Sequence, residues 1–385
     1  MSRKIRMGMV GGGRDSFIGP VHRIAAEMDN KINLVCGAFS SSPKKSRLSG
    51  QDLLLPPERI YDTYQEMFQR EAKLPDGVRM DFVSIVTPNN LHYPVAVAAL
   101  EAGFHVVCDK PMTMSIEEAR DLERNVQETK MLFCLTHNYT GYPMVKEARD
   151  LINNKGFGSV RKVVVEYAQG WLANNIESTG HKQAAWRTDP QLVGASTSMG
   201  DLGTHCENLT EYITGHRITE LCADLTTFVS GRKLDDDGSI LLRLGAKTRG
   251  ILWASQIAVG QENGFRIRIY SEKGAIEWDQ ENPNSLIVHW IDKPSEIRKT
   301  ASSFVGKAAA ANSRLPAGHP EGFLEAFANI YSNFADALLY NLAGNKVDEN
   351  RFDYPTVRDG VRGMAFLDAV VRSNSSEKKW VTVQD

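Results

Sequence analysis

The chain has 385 residues, 42% hydrophobic and 24% charged, and its 45 basic and 47 acidic residues leave a formal charge of -2, which gives nucleic acid no electrostatic foothold. No stretch is apolar for long enough to span a bilayer or to form the core of a secretion signal, so a cytoplasmic protein without a membrane partner is expected, and the length favours two domains. Cys36, Cys108, Cys134, Cys206 and Cys222 are scattered without a Cys-x-x-Cys pair, which argues against a zinc cage or a disulfide framework and reads as buried free thiols.

Ile5 to Val10 reads as a buried strand, followed by Gly11-Gly12-Gly13-Arg14-Asp15-Ser16-Phe17-Ile18-Gly19 and a helical pattern from Val21 to Met28. Strand, glycine turn and helix form the opening of a dinucleotide site. The glycines let the backbone approach a pyrophosphate, and the helix N-terminus meets its charge. Gly11, Gly13, Ser16, Phe17 and Ile18 are the candidates for that contact. The spacing departs from the common motif, because Ser16 stands where a third glycine would come and Gly19 arrives later; a longer phosphate loop accounts for this. Taken alone, the turn also fits an ordinary strand-to-helix connection.

Strands at Asn33 to Phe39, Asp81 to Thr87 and Gly103 to Cys108 alternate with helical patterns at Tyr64 to Ala72, Pro94 to Ala102 and Ser115 to Glu128. This alternation predicts a doubly wound parallel sheet, with ligands at the carboxyl ends of its strands. Those ends carry Ser40 and Ser41, then Thr87-Pro88-Asn89-Asn90, then Asp109-Lys110-Pro111, then Thr136-His137-Asn138. The acid that usually holds the ribose hydroxyls is missing from Ala38 to Lys45. Serines there can bond a hydroxyl or, with Lys44 or Lys45, a 2′-phosphate, so NAD and NADP are not separated; a polar helix cap fits equally. Lys110 ends a strand where a nicotinamide would project, and its charge could stabilise a developing alkoxide. A merely solvated lysine also fits.

Past Asn138 the pattern changes. A helix from Tyr142 to Asn154 precedes a long alternating strand, Val160 to Trp171, of the kind found in antiparallel sheets with one covered face. Further strands are expected at Glu220 to Val229, Ser239 to Leu244, Thr248 to Ala258, Phe265 to Ser271, Ala275 to Asp279 and Ser285 to Ile291. A long loop, Ser302 to Gly318, and two closing helices, Glu321 to Asn341 and Pro355 to Arg372, complete the chain. The expected division is therefore 1–137, a dinucleotide-binding domain, and 138–385, a separate α+β domain.

Within the second domain, Gly200 to Ile213 predicts a helix with Asp201, His205, Asn208 and Tyr212 in one stripe and Leu202, Cys206, Leu209 and Ile213 in the next. A histidine titrates near neutrality and can move a proton in either direction, and a carboxylate four residues earlier can orient it. Two glycines, Gly200 and Gly203, suggest close approach by cofactor or substrate. Asp201 as a helix cap and His205 as a satisfied histidine fit the same residues. A metal would lack a third ligand at a convincing spacing, and none is expected. His22, His216 and His289 read as structural.

These pieces together resemble the glucose-fructose oxidoreductase, inositol dehydrogenase and rhizopine catabolism (Gfo/Idh/MocA) family over essentially the whole chain. The resemblance rests on the glycine turn, Thr87-Pro88-Asn89-x-x-His92, Asp109-Lys110-Pro111 for the family's Glu-Lys-Pro, Trp186-Arg187-x-Asp189-Pro190, and Gly200-Asp201-x-Gly203-x-His205. It implies a Rossmann domain followed by a large, mostly antiparallel open sheet that commonly makes homodimers or homotetramers. It implies NAD(P), with NAD slightly favoured, and hydride transfer to or from a ring carbon of a sugar, glycoside or cyclitol. Lys110, Asp201 and His205 would be catalytic, with Thr87, Asn89, His92, Asp109, Asn138, Trp186 and Arg187 beside the cofactor. The segments Ile176 to Arg187 and His319-Pro320-Glu321-Gly322 look like the subset acting on inositols, unusual hexoses or glycosides oxidised at the 3-position. By that similarity Lys182, Trp186, Arg187 and His319 line the substrate pocket, with His137 and Asn138 at the crossover. A glycosidase working by transient oxidation and a non-catalytic sensor are the other activities this resemblance admits.

Overall fold

The apolar runs of the first third of the chain form a five-stranded sheet. In the computed structural model, which describes residues 3–154, 156–348 and 351–384, its strands are β1 (Ile5–Gly11), β2 (Ile32–Ala38), β3 (Phe82–Val86), β4 (His105–Cys108) and β5 (Phe133–Leu135), in the order β2-β1-β3-β4-β5. All neighbours are parallel. Phe82–Val86 is buried along its whole length, which is why it reads as an unbroken apolar run. The order turns back between β1 and β3, so the carboxyl ends of those two strands flank the crevice where such a sheet takes its ligand.

The chain divides into two compact units. The first takes Met1–Thr113, Glu117–Asn138 and Phe323–Val361; the second takes Met114–Ile116, Tyr139–Gly322 and Arg362–Asp385. This corrects the expected assignment of 138–385 to one domain. The helix Phe323–Leu342 returns to the first unit because its apolar face, Phe327, Ile330, Tyr331, Phe334 and Leu338, shares one core with Met7, Met9 and Phe82 of the sheet. A returning helix of this kind leaves no mark in local periodicity, which reports only that a face is apolar.

The second unit is built on nine strands: β6 (Val160–Ala168), β7 (Ile218–Thr226), β8 (Asp237–Leu244), β9 (Thr248–Ser255), β10 (Gly264–Ser271), β11 (Gly274–Asp279), β12 (Ser285–Trp290), β13 (Glu296–Lys299) and β14 (Trp380–Thr382). Their order is β13-β12-β11-β10-β6-β9-β8-β7-β14. All pairs are antiparallel except the central β6 and β9. Inward residues such as Ile240, Leu242, Leu252, Ile267 and Ile269 are buried, and the alternate residues Leu241 and Ile251 are exposed, so one face of the sheet carries the core. β6 ends at Ala168, short of the expected Trp171, and the expected loop at 302–318 contains one short helix, Lys307–Ala311. Among the described residues, no helix is long and apolar enough to cross a membrane.

Four histidines of the first unit, His22, His92, His105 and His137, are buried, and burial holds His22 and His105 down to about 4 and His137 to about 3, against an ordinary 6.5. His105 accepts the Leu132 amide at Nδ1, which fixes a neutral ring. Below pH 6.5 the unfolded chain binds protons that these folded rings exclude, so stability is lost as pH falls from 6.5 toward about 4. Each ring is expected to remove about 2 kcal/mol by pH 5, read as the difference between urea unfolding at pH 7 and pH 5. Replacing His105 with Gln should shrink that difference by about one ring's share.

Candidate active site

The glycine turn is shaped by contacts that leave no room for a side chain. Gly11 and Gly12 have φ of 82° and 68°, and a Cβ on Gly11 would lie 2.6 Å from the Val86 carbonyl oxygen. A Cβ on Gly13 would lie 2.7 Å from the Phe39 carbonyl oxygen. The late glycine is explained: Gly19, in the first turn of helix Ile18–Glu27, packs its Cα directly on the Gly12 backbone. It performs the helix-to-strand packing of the missing third glycine. Ser16 Oγ accepts the Gly19 amide at 3.2 Å, while Phe17 is exposed.

At the end of β3, Thr87 Oγ1 is buried with no hydrogen-bond partner in the protein, and so is Asn138 Nδ2 beyond β5. A cradle of glycines against Thr87, with orphaned buried polar atoms at the carboxyl ends of the same sheet, fits a bound nucleotide, because such atoms are costly unless a ligand or water completes them. The residues therefore fit NAD(P), and Gly11 to Gly13, Thr87 and Asn138 are the groups that would hold it. His92, expected beside the cofactor, is held by two loop carbonyls. Its Nδ1 lies 2.7 Å from the Pro111 carbonyl oxygen and its Nε2 lies 3.0 Å from that of Thr87, so the buried ring ties the loops after β3 and β4 together. Burial lowers its pKa, opposed by Asp109 and the two carbonyls.

Lys110 and Asp109 form the corner after β4. Asp109 Oδ1 accepts the Lys110 amide and the Thr136 hydroxyl, both at 2.9 Å, and the Lys110–Pro111 peptide is cis. Lys110 is half-buried, and after burial itself its charge is what most disfavours protonation of His137. Below this corner the structural reading of His22 holds: it bonds Tyr331 at 2.8 Å, and Tyr331 bonds Ser84 at 2.9 Å.

In the second unit the expected continuous helix from Gly200 starts instead with a π-helical turn, Met199–Gly203, and continues as an α-helix over Thr204–Thr214. The turn is anchored by Asp235, whose carboxylate accepts the Ser196 hydroxyl at 2.9 Å and the amides of Thr197, Ser198 and Met199 at 3.1 to 3.2 Å. Burial raises the Asp235 pKa, and these donors oppose the rise. Capping therefore falls to Asp235 rather than Asp201. The apolar stripe Leu202, Cys206, Leu209 and Ile213 is buried as expected. Gly203 is close-packed by its own neighbour, since a Cβ there would lie 2.8 Å from Met199 Sδ, so the chain itself accounts for that glycine.

Asp201 Oδ2 accepts from Gln256 Nε2 at 3.0 Å and lies 3.5 Å from Arg187 Nε. Arg187 in turn donates to Gln183 Oε1 at 2.6 Å and stacks 4.3 Å from the Trp186 ring centre and 5.8 Å from that of Trp171. His205 is buried with the edge of Tyr139 against it at 4.7 Å, and Tyr167 and Phe265 close around it. The Tyr139 and Tyr167 hydroxyls bond each other, and Tyr167 reaches Asn263 Oδ1 at 2.8 Å. Burial pushes Tyr139 up to about 12 and raises Tyr167 well above its ordinary value, so both remain neutral phenols.

The structure thus gathers Asp201, Arg187 and Trp186, and places His205 one turn beyond Asp201 in the same unit. It leaves Lys182 exposed at the start of the helix Lys182–Arg187, and His319 exposed with Nδ1 turned to its own loop at Pro316. Glu321, beside His319, pins that loop by accepting the amides of Arg314 and Leu315. Sequence reasoning missed Asp235, Gln256, Tyr139, Tyr167 and Asn263. The run Asp235-Asp236-Asp237 was the only signal for the first, and nothing local linked it to residues 196–199.

Residues 5–139 match the model of an oxidoreductase family with an NAD-binding Rossmann fold, and residues 145–277 match that of the GFO/IDH/MocA C-terminal domain. The uncharacterized oxidoreductase YfiI of Bacillus subtilis is 35% identical over 99% of this chain and 97% of its own. An inositol dehydrogenase homolog from Azotobacter vinelandii, solved with NAD+, superposes with a TM-score of 0.95 at 34% identity, covering 99% of this chain and 98% of the other. Its complex with NADH and myo-inositol gives 0.92 at the same identity and coverage.

Asp235→Ala removes the carboxylate that accepts the Ser196 hydroxyl and three backbone amides, leaving Ser198 only the residue-235 carbonyl and Met199 only Ser196 Oγ. It is expected to destabilise the protein by about 3 kcal/mol in urea unfolding, whereas Ser196→Ala, which removes one donor, should cost about 1 kcal/mol.

Proposed function

The chain belongs to the GFO/IDH/MocA oxidoreductase family, and we propose that it is a dehydrogenase that moves a hydride between NAD(P) and a ring carbon bearing a hydroxyl, on a cyclitol of the inositol type or a related sugar. One observation carries this reading: Asp201, held by Gln256 and Arg187, one turn before a buried His205, in a chain whose first unit matches an NAD-binding Rossmann fold. The Azotobacter homolog solved with NADH and myo-inositol supports a cyclitol as the first substrate to test.

The bound nucleotide supplies the hydride acceptor. In the oxidation direction the substrate loses a C–H hydride and an O–H proton, and becomes a ketone. His205 accepts that proton, since an imidazole can take and return it near neutral pH. Asp201 favours the imidazolium by its charge. Lys110 donates to the substrate oxygen and stabilises its developing negative charge. The aromatic enclosure of Tyr139, Tyr167 and Phe265 keeps the His205 ring in place and limits water around it. Trp186 and Arg187 bound the substrate on the Asp201 side, and a second copy of the chain covers the exposed sheet face at Leu241 and Ile251, making a homodimer or homotetramer.

Following nicotinamide absorbance with NAD+ or NADP+ and a panel of inositols, hexoses and glycosides tests the activity. Reduction with a cyclitol or sugar is expected; no reduction with any member of the panel sinks the reading. Lys110→Ala and His205→Ala should each lower kcat by about 100-fold or more. His205→Ala should leave calorimetric nucleotide binding intact.

Gln256→Glu places a second carboxylate against Asp201 and raises the proton affinity of the pair. The acid limb of the pH profile of kcat should move up by about one unit. Gln256→Met, which loses the bond without adding charge, should lower kcat with less movement of the limb.

A further inference from the structure

The one carboxylate between Ala38 and Asp52 is Asp52 itself, at the far end of the helix Pro43–Asp52 that follows β2. It does not stand at the strand end where the ribose hydroxyls of NAD are usually held. It is engaged by a cation of the glycine turn: Arg14 donates from Nε and Nη2 to the two oxygens of Asp52 at 2.6 and 2.7 Å. The Arg14 backbone is laced to this corner, with its amide on Ser49 Oγ at 3.0 Å and the preceding Gly13 amide on the Phe39 carbonyl at 3.2 Å. The guanidinium root is therefore fixed beside the end of β2, and only its side chain is turned toward Asp52.

We propose that the Arg14–Asp52 pair is the cofactor selector: Arg14 exchanges Asp52 for the 2′-phosphate of NADP, so the protein takes NAD with the pair closed and NADP with it open. The side chains of Arg14 and Asp52 are 46% and 50% exposed, and an ion pair so wet is weak and cheap to part. A guanidinium on a phosphate gains two charge-assisted bonds in the same fork geometry. Asp52 left behind is solvated by water, so no buried charge is stranded. Ser40 and Ser41 at the strand end serve both forms, since a hydroxyl accepts from a ribose hydroxyl and donates to a phosphate. Exposed Lys44 and Lys45 add positive potential on the same side.

The inference rests on the nucleotide reading, and calorimetric titration of the full-length protein with NAD+ and with NADP+ separates the two. Both nucleotides are expected to bind the wild type. Arg14→Ala should weaken NADP+ about tenfold or more and leave NAD+ within about threefold, with Arg14→Lys in between because it keeps the charge without the fork. Asp52→Asn should tighten NADP+ several-fold, since the competing carboxylate is gone, with NAD+ unchanged. Equal weakening of both nucleotides by Arg14→Ala, or an unchanged NADP+ to NAD+ affinity ratio in Asp52→Asn, overturns the selector while leaving the nucleotide site standing. Failure of the wild type to bind either nucleotide overturns the nucleotide reading and the selector together.

Discussion

The buried carboxylate of Asp235 is the constraint on which the candidate chemistry of the second unit depends. A carboxylate in an apolar interior is expensive, and burial does push its pKa up. What offsets that cost is the number and placement of its donors: one hydroxyl and three consecutive amides at the entry to a π-helical turn. Those amides are the ones a helix start leaves without partners. The carboxylate and the helix start therefore each satisfy what the other lacks. Asp201 lies two residues past the last of these amides, so its position is set by the same cap. π-turns cluster at functional sites because the extra residue re-aims a side chain that a regular helix would point elsewhere.

A comparable arrangement holds the first unit's corner. Asp109 fixes the backbone of Lys110 through its amide and is steadied by Thr136, while His92 joins the two loops on either side of the corner. None of these groups has to change protonation to do this. His22 and His137 are kept neutral by burial, so the first unit flanks the corner that holds its lysine with polar but uncharged rings and one carboxylate. Placing the charge on Lys110 alone concentrates the local field on whatever oxygen it meets.

Much of this was legible in the sequence. The parallel sheet follows from apolar runs alternating with helical patterns, and the strand ends follow from the turn residues after each run. The apolar stripe Leu202, Cys206, Leu209 and Ile213 was readable because a period near 3.6 is a local property. The rest depended on contacts between residues distant in sequence. The return of Phe323–Leu342 to the first core, the 39 positions from Ser196 to Asp235, and the 55 from Asp201 to Gln256 are set by packing that no window of the chain records. Gly19 shows the boundary between the two cases. Its identity was visible and its offset was noted, but only the contact with Gly12 explains why a glycine is required there.

Polar groups without partners sharpen the same point. Thr87 Oγ1 and Asn138 Nδ2 in the first unit, and Gln256 Oε1 in the second, are buried and unmatched within the protein. Each such atom costs about 1 to 3 kcal/mol if nothing completes it. A fold that needed these side chains only for packing could replace them with apolar residues of similar shape. Thr87 and Asn138 lie past the carboxyl ends of β3 and β5, and Thr87 stands against Gly11, whose missing side chain opens a cradle; there a nucleotide would supply the matching donors and acceptors. Gln256 differs: its amide nitrogen is already committed to Asp201, so its unmatched oxygen is the consequence of aiming the other end at a carboxylate. The first two atoms are where a bound nucleotide would complete the protein's own hydrogen bonds, and the third marks where the protein gives up one hydrogen bond to hold Asp201 in place.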